Sequence, residues 1–512
     1  MADNRWGIAL AVSLGALLEV IDTSIVNVAL PEMETSLGAT LSEVSWVVTS
    51  YVVANVIILT LAAWLGDTFG KKRYFIFSLV AFTAASVACG LAVNLPMLIA
   101  ARVVQGLCGG GLLTKAQSLL FQTFTKKEDQ AMAQGLFGTI VIAGPAIGPT
   151  LGGWLVTHAG WRWIFFVNLP VGIIATFLCV AFLPADDSTG HAKTKVDWVA
   201  VGLLTMGLGS FQVVLEEGQS HDWLESPFVR RFAICAAIGL AVFVWRVLTS
   251  PRPIVDLRVL RHRALWAGSI LSVVVGIGLY GTLFAIPIFA QEILHFTAEQ
   301  TGMLLIPGAL VSAFAMPIAA KLIAKFDVRI LLVGGIFLLG YALYDLSYLS
   351  PLTGEKDLFW PLIVRAFAIA LVFLPLNMAT LGSLPPKDIP AASGIFSLTR
   401  QLGASIGVAS LTTILVQRHA FHRAVLVEKL VAGTPETVAH LDIMAANLVT
   451  RGSDLVKAHQ SALAILDRRV DVQAAVMSFG DTFWLTLVLF AVTLPLVLLL
   501  GKAGGASAGP AH

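Results

Sequence analysis

The residues of this sequence best placed to do chemistry are charged side chains lying inside apolar runs. Glu19 and Asp22 stand in the run from Trp6 to Leu30, and Arg102 in one that opens near Pro96. Asp345, Arg365 and Arg400, the last beside Gln401, stand in three later runs. A charge at membrane depth costs a few kcal/mol on insertion scales, so each needs a partner or a task. Glu19 and Asp22 are one helical turn apart and share a face. Together they offer counter-charge to a cation, and competition between that cation and a proton for the same carboxylates is antiport in its simplest form. For Glu19 a plain hydrogen bond to a neighbour is an equal alternative.

Depth suggests partners. At 1.5 Å per residue, Asp22 and Arg102 lie about 10 Å and about 8 Å below the same membrane face, so they can pair. Such a pair either takes part in coupling or simply orients two helices. Asp345 and Arg365 both lie about 10 Å from that face and are expected to form a structural ion pair. Arg400 is expected to line a cavity or to snorkel, and Lys115 to snorkel to the inner interface.

These placements require helices that cross a bilayer, and the composition demands them. Of 512 residues, 57% are hydrophobic and 12% charged, about half the charged share of a soluble domain. Lipid can replace the polar surface this chain lacks. A net charge of +2 gives no field for nucleic acid. Cys89, Cys108, Cys179 and Cys235 lie in apolar runs with no metal or redox spacing. The first run is too long for a signal core and reads as the first span.

A span needs about twenty mostly apolar residues. Such windows open near Trp6, Val44, Tyr74, Pro96, Ala133 and Trp163, then Val196 and Phe228. Six more open near Ala264, Gln300, Val328, Leu358, Ser393 and Phe479. The expected fold is therefore an all-α membrane protein of about fourteen spans, grouped six, two and six. Residues 1–185 form one half, 186–262 an inserted pair, and 263–512 the second half with a long loop over 418–478.

Basic residues set orientation. Lys71, Lys72 and Arg73, then Lys126 and Lys127, Lys193 and Lys195, and Arg252, Arg258, Arg261 and Arg263 follow even-numbered spans. Glu32, Glu34 and Glu43 lie on the opposite side. Both termini are thus expected in the cytoplasm and the 418–478 connection outside, as short amphipathic helices. The Gly- and Ala-rich tail after Leu500 is expected to be flexible.

Several segments carry a resemblance. Leu18 to Pro31 reads Leu-Glu-Val-Ile-Asp-Thr-Ser-Ile-Val-Asn-Val-Ala-Leu-Pro. It resembles the first-helix signature of fourteen-span drug:proton antiporters of the major facilitator superfamily. Trp64-Leu-Gly-Asp-Thr-Phe-Gly-Lys-Lys-Arg73, Arg102-Val-Val-Gln-Gly106 and Gly144-Pro-Ala-Ile-Gly-Pro-Thr-Leu-Gly-Gly153 resemble the motifs expected in order after it. Trp161 to Pro170 resembles the opening of span six in the EmrB/QacA subfamily, and Pro253 to Leu257 and Ser383-Leu-Pro-Pro386 through Arg400-Gln-Leu-Gly403 look most like its EmrB branch. Thr68 and Ala63 depart from the loop motif, and Lys115 intrudes into span four.

The resemblance implies a proton-coupled multidrug efflux transporter of the bacterial inner membrane, exporting hydrophobic drug-like molecules. It implies proton coupling through Asp22, Glu19 and Arg102. A substrate cavity would be lined by Glu19, Asp22, Asn27, Gln105, Arg400 and Gln401. Asp67, Gly70, Lys71, Lys72 and Arg73 would form the cytoplasmic gate, with Asp67 capping a facing helix end. Gly144, Pro145, Gly148, Gly152 and Gly153, the antiporter motif, would let span five bend and seal the outer side. An EmrA-like periplasmic adaptor and an outer-membrane channel are the implied partners. A dedicated exporter or importer of one metabolite or siderophore is the alternative within transport, and a non-transporting sensor the alternative outside it.

No GxxxxGK[ST] loop is present, so the chain does not burn ATP by itself; the resemblance implies no cofactor and a proton gradient as the driving force. His419 and His422 are three residues apart, but a solvated loop is the expected setting, because no acidic cluster accompanies them.

Overall fold

The computed structural model describes residues 2–186, 196–251, 253–430, 435–452 and 454–500. Among them there are helices and connections but no strand. Without water in a bilayer core, helices satisfy every backbone group internally. The first half comprises α1 (Ala2–Leu37), α2 (Leu41–Phe69), α3 (Lys71–Gly90), α4 (Leu95–Gly109), α5 (Leu112–Thr123), α6 (Lys127–Ala159), α7 (Trp163–Phe166) and α8 (Asn168–Phe182). Next come α9 (Trp198–Glu217) and α10 (Pro227–Thr249). The second half holds α11 (Arg263–Ile288), α12 (Ala298–Lys325), α13 (Val328–Leu346), α14 (Glu355–Thr380), α15 (Ile389–Lys429), α16 (Pro435–Val449) and α17 (Leu455–Thr493).

Local sequence sets the helix ends and breaks. Thr40 and Glu43 close a capping box on α2, and Thr297 with Gln300 does the same for α12. Gly109, Gly110 and Gly111 divide span four into α4 and α5. In α6, Pro145 and Pro149 each remove a helical hydrogen bond, and the helix bends by 41° between Ile142 and Ile147.

Twelve helices among the described residues are long and apolar enough to cross a membrane, and bent α6 makes a thirteenth. The thirteenth expected window, opening at Ser393, lies in α15, which does not meet that measure. Its polar residues have a physical reason, because Ser393, Ser397 and Arg400 are buried inside the bundle rather than turned to lipid. The Val196 window, glycine-rich and ending in acids, is a complete helix, α9. Large apolar side chains form the outer surface, among them Phe177, Trp245, Phe314 and Phe337, each more than 60% exposed. Such a coat is stable only against lipid.

α1 packs on α6 and α8, α6 on α12, and α11 on α15, so the halves meet along α6–α12 and where α15 crosses α2 and α5. α9 is wedged against both α2 and α15, while α10 leans chiefly on α9. The 418–478 connection is largely helix, as expected, but two of its helices are continuous with the bundle rather than short. α15 runs on to Lys429, α16 follows, and α17 starts at Leu455 and continues without interruption into its apolar part. His419 and His422 therefore sit on α15 with acidic partners, Asp471 at 3.1 Å and Asp481 at 2.7 Å. Lys193, Lys195, Arg252 and the tail after Leu500 lie outside the described residues.

Candidate functional site

Asp22 and Arg102 meet, at 2.6 Å between Oδ2 and Nη1, and both are fully buried. The carboxylate also accepts from Gln105 Nε2 at 2.7 Å and Asn168 Nδ2 at 2.9 Å. Arg102 donates from Nε to the Val47 carbonyl at 3.0 Å, and its guanidinium lies 4.0 Å from the centre of the Tyr51 ring. Four helices, α1, α2, α4 and α8, thus converge on one satisfied ion pair. Gly106 and Gly110 make this possible. A Cβ at Gly106 would sit 2.5 Å from the Tyr51 carbonyl oxygen, and one at Gly110 would sit 2.3 Å from that of Asn55.

A cavity of about 300 Å³ lies beside this pair, between the halves. Glu19, Asn27 and Gln401 line it, as the resemblance implied. Asp22, Gln105 and Arg400 do not, which corrects that assignment. Three residues along a helix turn a side chain by about 60°, so short Asp22 points into α4 while Glu19 looks into the cavity. Arg400 is buried, its guanidinium 5.3 Å from the Phe373 ring centre and 5.9 Å from that of Phe396.

Glu19 is anchored by the chain break in span four. Its Oε2 accepts from the Leu113 backbone N–H at 2.8 Å and its Oε1 from Asn55 Nδ2 at 2.9 Å. The three glycines free the first amides of α5, and a carboxylate at that helix start is favoured by its orphan N–H groups and dipole. Sequence reasoning missed this, although Gly109-Gly110-Gly111 inside an apolar run was the available signal. It also missed Glu216, which closes the cavity from α9 together with Tyr280 and Phe284 of α11.

At the opposite end of α2, Gly70 has φ +93°, a turn suited to glycine. The residue that caps α3 there is Asp186, accepting from the N–H groups of Lys72 at 2.9 Å and Arg73 at 3.1 Å. Asp67 is exposed, and among the described residues no hydrogen bond reaches it. It shares a small crevice with Lys115 and with Pro390 in the first turn of α15. The expected cap is therefore not made in this conformation. Lys71 donates to Gln122 at 2.6 Å, and Lys72 Nζ to the Leu183 carbonyl at 2.6 Å. Lys115 does not snorkel. It is buried with Nζ 4.5 Å from the Tyr74 ring centre, in space left by the missing side chain of Gly66.

Gly144, Gly148 and Gly152, at four-residue intervals, turn one face of α6 to Val20, Ser24 and Ile25 of α1. Pro145 lines the cavity. Gly153 instead faces an apolar groove of about 700 Å³ beside α12 that contains no carboxylate. Asp345 and Arg365 do not pair. Asp345 is exposed, whereas buried Arg365 donates from Nε to Thr282 Oγ1 at 3.0 Å. Equal depth did not bring equal azimuth. Between the halves, Gln117 of α5 donates to Asn377 of α14, and Ser397 of α15 donates to Gln117 at 3.4 Å.

Comparison with known proteins agrees with this architecture. The family model for the Major Facilitator Superfamily matches residues 12–408. The chain is 31% identical to the multidrug export protein EmrB of Escherichia coli K12, over 98% of this chain and 96% of that one. It is 29% identical to the colistin resistance protein EmrB of Acinetobacter baumannii, over 98% and 97% of the two chains. It is 30% identical to the fatty acid resistance protein FarB of Neisseria gonorrhoeae, over 96% and 95%. Among solved structures, the proton:xylose symporter XylE superposes with TM-score 0.58 at 12% identity, covering 95% of each chain. This likeness shows the fold. With residues 12–408 matched, the chain belongs to the Major Facilitator Superfamily, as a multi-pass bacterial inner-membrane transporter and not an enzyme.

Proposed function

We propose that the chain is a proton-driven exporter of hydrophobic small molecules that alternates access between its two halves. The observation that carries this reading is Glu19. Its carboxylate lines the inter-half cavity, one turn from the sealed Asp22–Arg102 pair on the same helix. A proton and a substrate can therefore compete at Glu19 while Asp22 keeps α1 fixed to α4, until movement of the halves disturbs that pair. The names of the relatives, which speak of multidrug export and of resistance to colistin and fatty acids, fit amphiphilic cargo.

Both termini lie in the cytoplasm in this reading, since Lys71, Lys72 and Arg73 mark the inner side. The Gln117–Asn377 contact then closes the cavity inward. The long α15–α16–α17 extension projects outward, where an EmrA-like adaptor leading to an outer-membrane channel would meet it. The test is efflux of a fluorescent lipophilic dye from proteoliposomes under an imposed pH gradient. Gradient-dependent dye movement is expected; movement that ignores the gradient would contradict proton coupling.

A further inference from the structure

The inserted pair ends α9 in two adjacent acids that face different ways. Glu217 is buried and turns to α2, accepting from Thr49 Oγ1 at 2.8 Å and Ser45 Oγ at 3.3 Å. Glu216 turns into the central cavity. Its Oε1 accepts from Gln212 Nε2 at 2.7 Å and from Ser405 Oγ of α15 at 3.0 Å. α9 is thereby fastened to the first half through Glu217 and to the second through Glu216.

Every polar partner of Glu216 is neutral. Among the described residues no arginine, lysine or histidine nitrogen lies within 4.0 Å of Glu216 or of Glu19. Yet both carboxylates line one cavity, whose other lining is apolar and aromatic (Val52, Tyr280, Leu283, Phe284 and Val408) with neutral polar groups such as Asn27 and Gln401. Arg400 lies beside Phe373 and Phe396, is not among the cavity-lining residues and forms no ion pair with either carboxylate. A partly desolvated space with two carboxylates, no cation paired to either and two aromatic side chains favours one ligand class. An organic cation with aromatic groups gains counter-charge from both sides and stacks on the rings. An anion of equal size meets repulsion from both.

We propose that Glu216 is the second carboxylate of the substrate cavity, and that with Glu19 it selects lipophilic organic cations. This assignment rests on the export reading and gives the inserted pair a role in recognition as well as in packing.

The experiment uses the full chain in lipid nanodiscs and compares binding of tetraphenylphosphonium with that of neutral triphenylphosphine oxide. Glu216→Gln keeps the shape and an oxygen for Ser405 and Gln212 while removing the charge. The ratio of cation to neutral affinity is expected to fall roughly tenfold or more, with Glu216→Asp recovering part of it. Glu225→Gln, exposed in the turn after α9, should leave the ratio as it is. An unchanged ratio in Glu216→Gln, or equal loss of both ligands, overturns the inference. Native protein that moves a neutral dye under the gradient but does not bind the phosphonium overturns it too, and leaves the export reading standing. Native protein that binds the phosphonium through Glu216 but moves nothing under a gradient supports the cation site and sinks the export reading.

Discussion

Asp22 and Arg102 are joined at 2.6 Å with side-chain exposures of 0% and 1%, and each also holds further hydrogen bonds from other helices. A buried pair this well satisfied is a unit, and breaking one side leaves an uncompensated charge at a cost of about 3–5 kcal/mol. Arg102→Met should therefore lower the thermal midpoint in detergent more than Arg102→Met combined with Asp22→Leu does. If the double variant melts no higher than the single one, the two residues are not energetically coupled.

The sequence shows clearly what lipid enforces and shows poorly what faces inward. Apolar windows predict α1, α2, α3 and α11 because each carries a long apolar stretch with few charges. α15 fails the same measure because its serines and Arg400 are buried against other helices. Depth along a helix is legible at 1.5 Å per residue; azimuth is not. Asp22 and Arg102 share both, while Asp345 and Arg365 share depth alone. Glu216 and Glu217 end the Val196 window, and a carboxylate at the edge of an apolar run looks like a boundary. Only the packing of α9 between α2 and α15 makes one of them a cavity wall. Likewise, Gly109, Gly110 and Gly111 break a helix and give Glu19 its N–H donor, a role that shows only once α5 is packed against α1.

The α1–α6 contact depends on bare backbone. A Cβ at Gly152 would come within 2.8 Å of Ile25 Cγ1 and 3.1 Å of its carbonyl oxygen, whereas one at Gly202 of α9 meets nothing within 4 Å. Gly152→Ala should destabilise by about 1–3 kcal/mol and reduce dye efflux. Gly202→Ala should be neutral or stabilising by up to about 1 kcal/mol. Thermal melts of both variants, with efflux at matched protein amounts, check this. Equal behaviour of the two would show that the contact yields easily.

Asp197 caps α9 and binds Arg246 of α10, at 2.8 Å to Nε and 2.9 Å to Nη2. The Arg246 guanidinium holds its carboxyl below the usual carboxylate range, and the Ala200 N–H adds to this. A lowered folded value means stability that is complete above the unfolded value, near pH 4, and lost as pH falls through the folded one. Both side chains are a quarter or more exposed, so the contribution is at most about 1 kcal/mol. Asp197→Asn should flatten the fall in melting temperature between about pH 5 and pH 3. A native and a variant profile that run parallel would show the clamp to be energetically idle.

Glu19 and Asp22 lie on one helix but are predicted to fail in different ways. Glu19 lines the cavity with donors on both oxygens, so Glu19→Gln keeps an acceptor for Leu113 and places an amide near Asn55. It removes the group for which substrate and proton compete. The expected phenotype is dye exchange at equal pH on both sides, with gradient-driven accumulation lost by roughly tenfold or more, the range typical of removing one proton-transfer group. Asp22→Asn instead strips the counter-charge from buried Arg102, so exchange and gradient-driven transport should fall together, along with the melting temperature. Proteoliposomes loaded with dye, assayed with and without a pH gradient, separate the two. If Glu19→Gln retains full gradient-driven transport while Asp22→Asn folds normally and loses only that, the coupling carboxylate is Asp22, and its bond to Arg102 must open in every cycle.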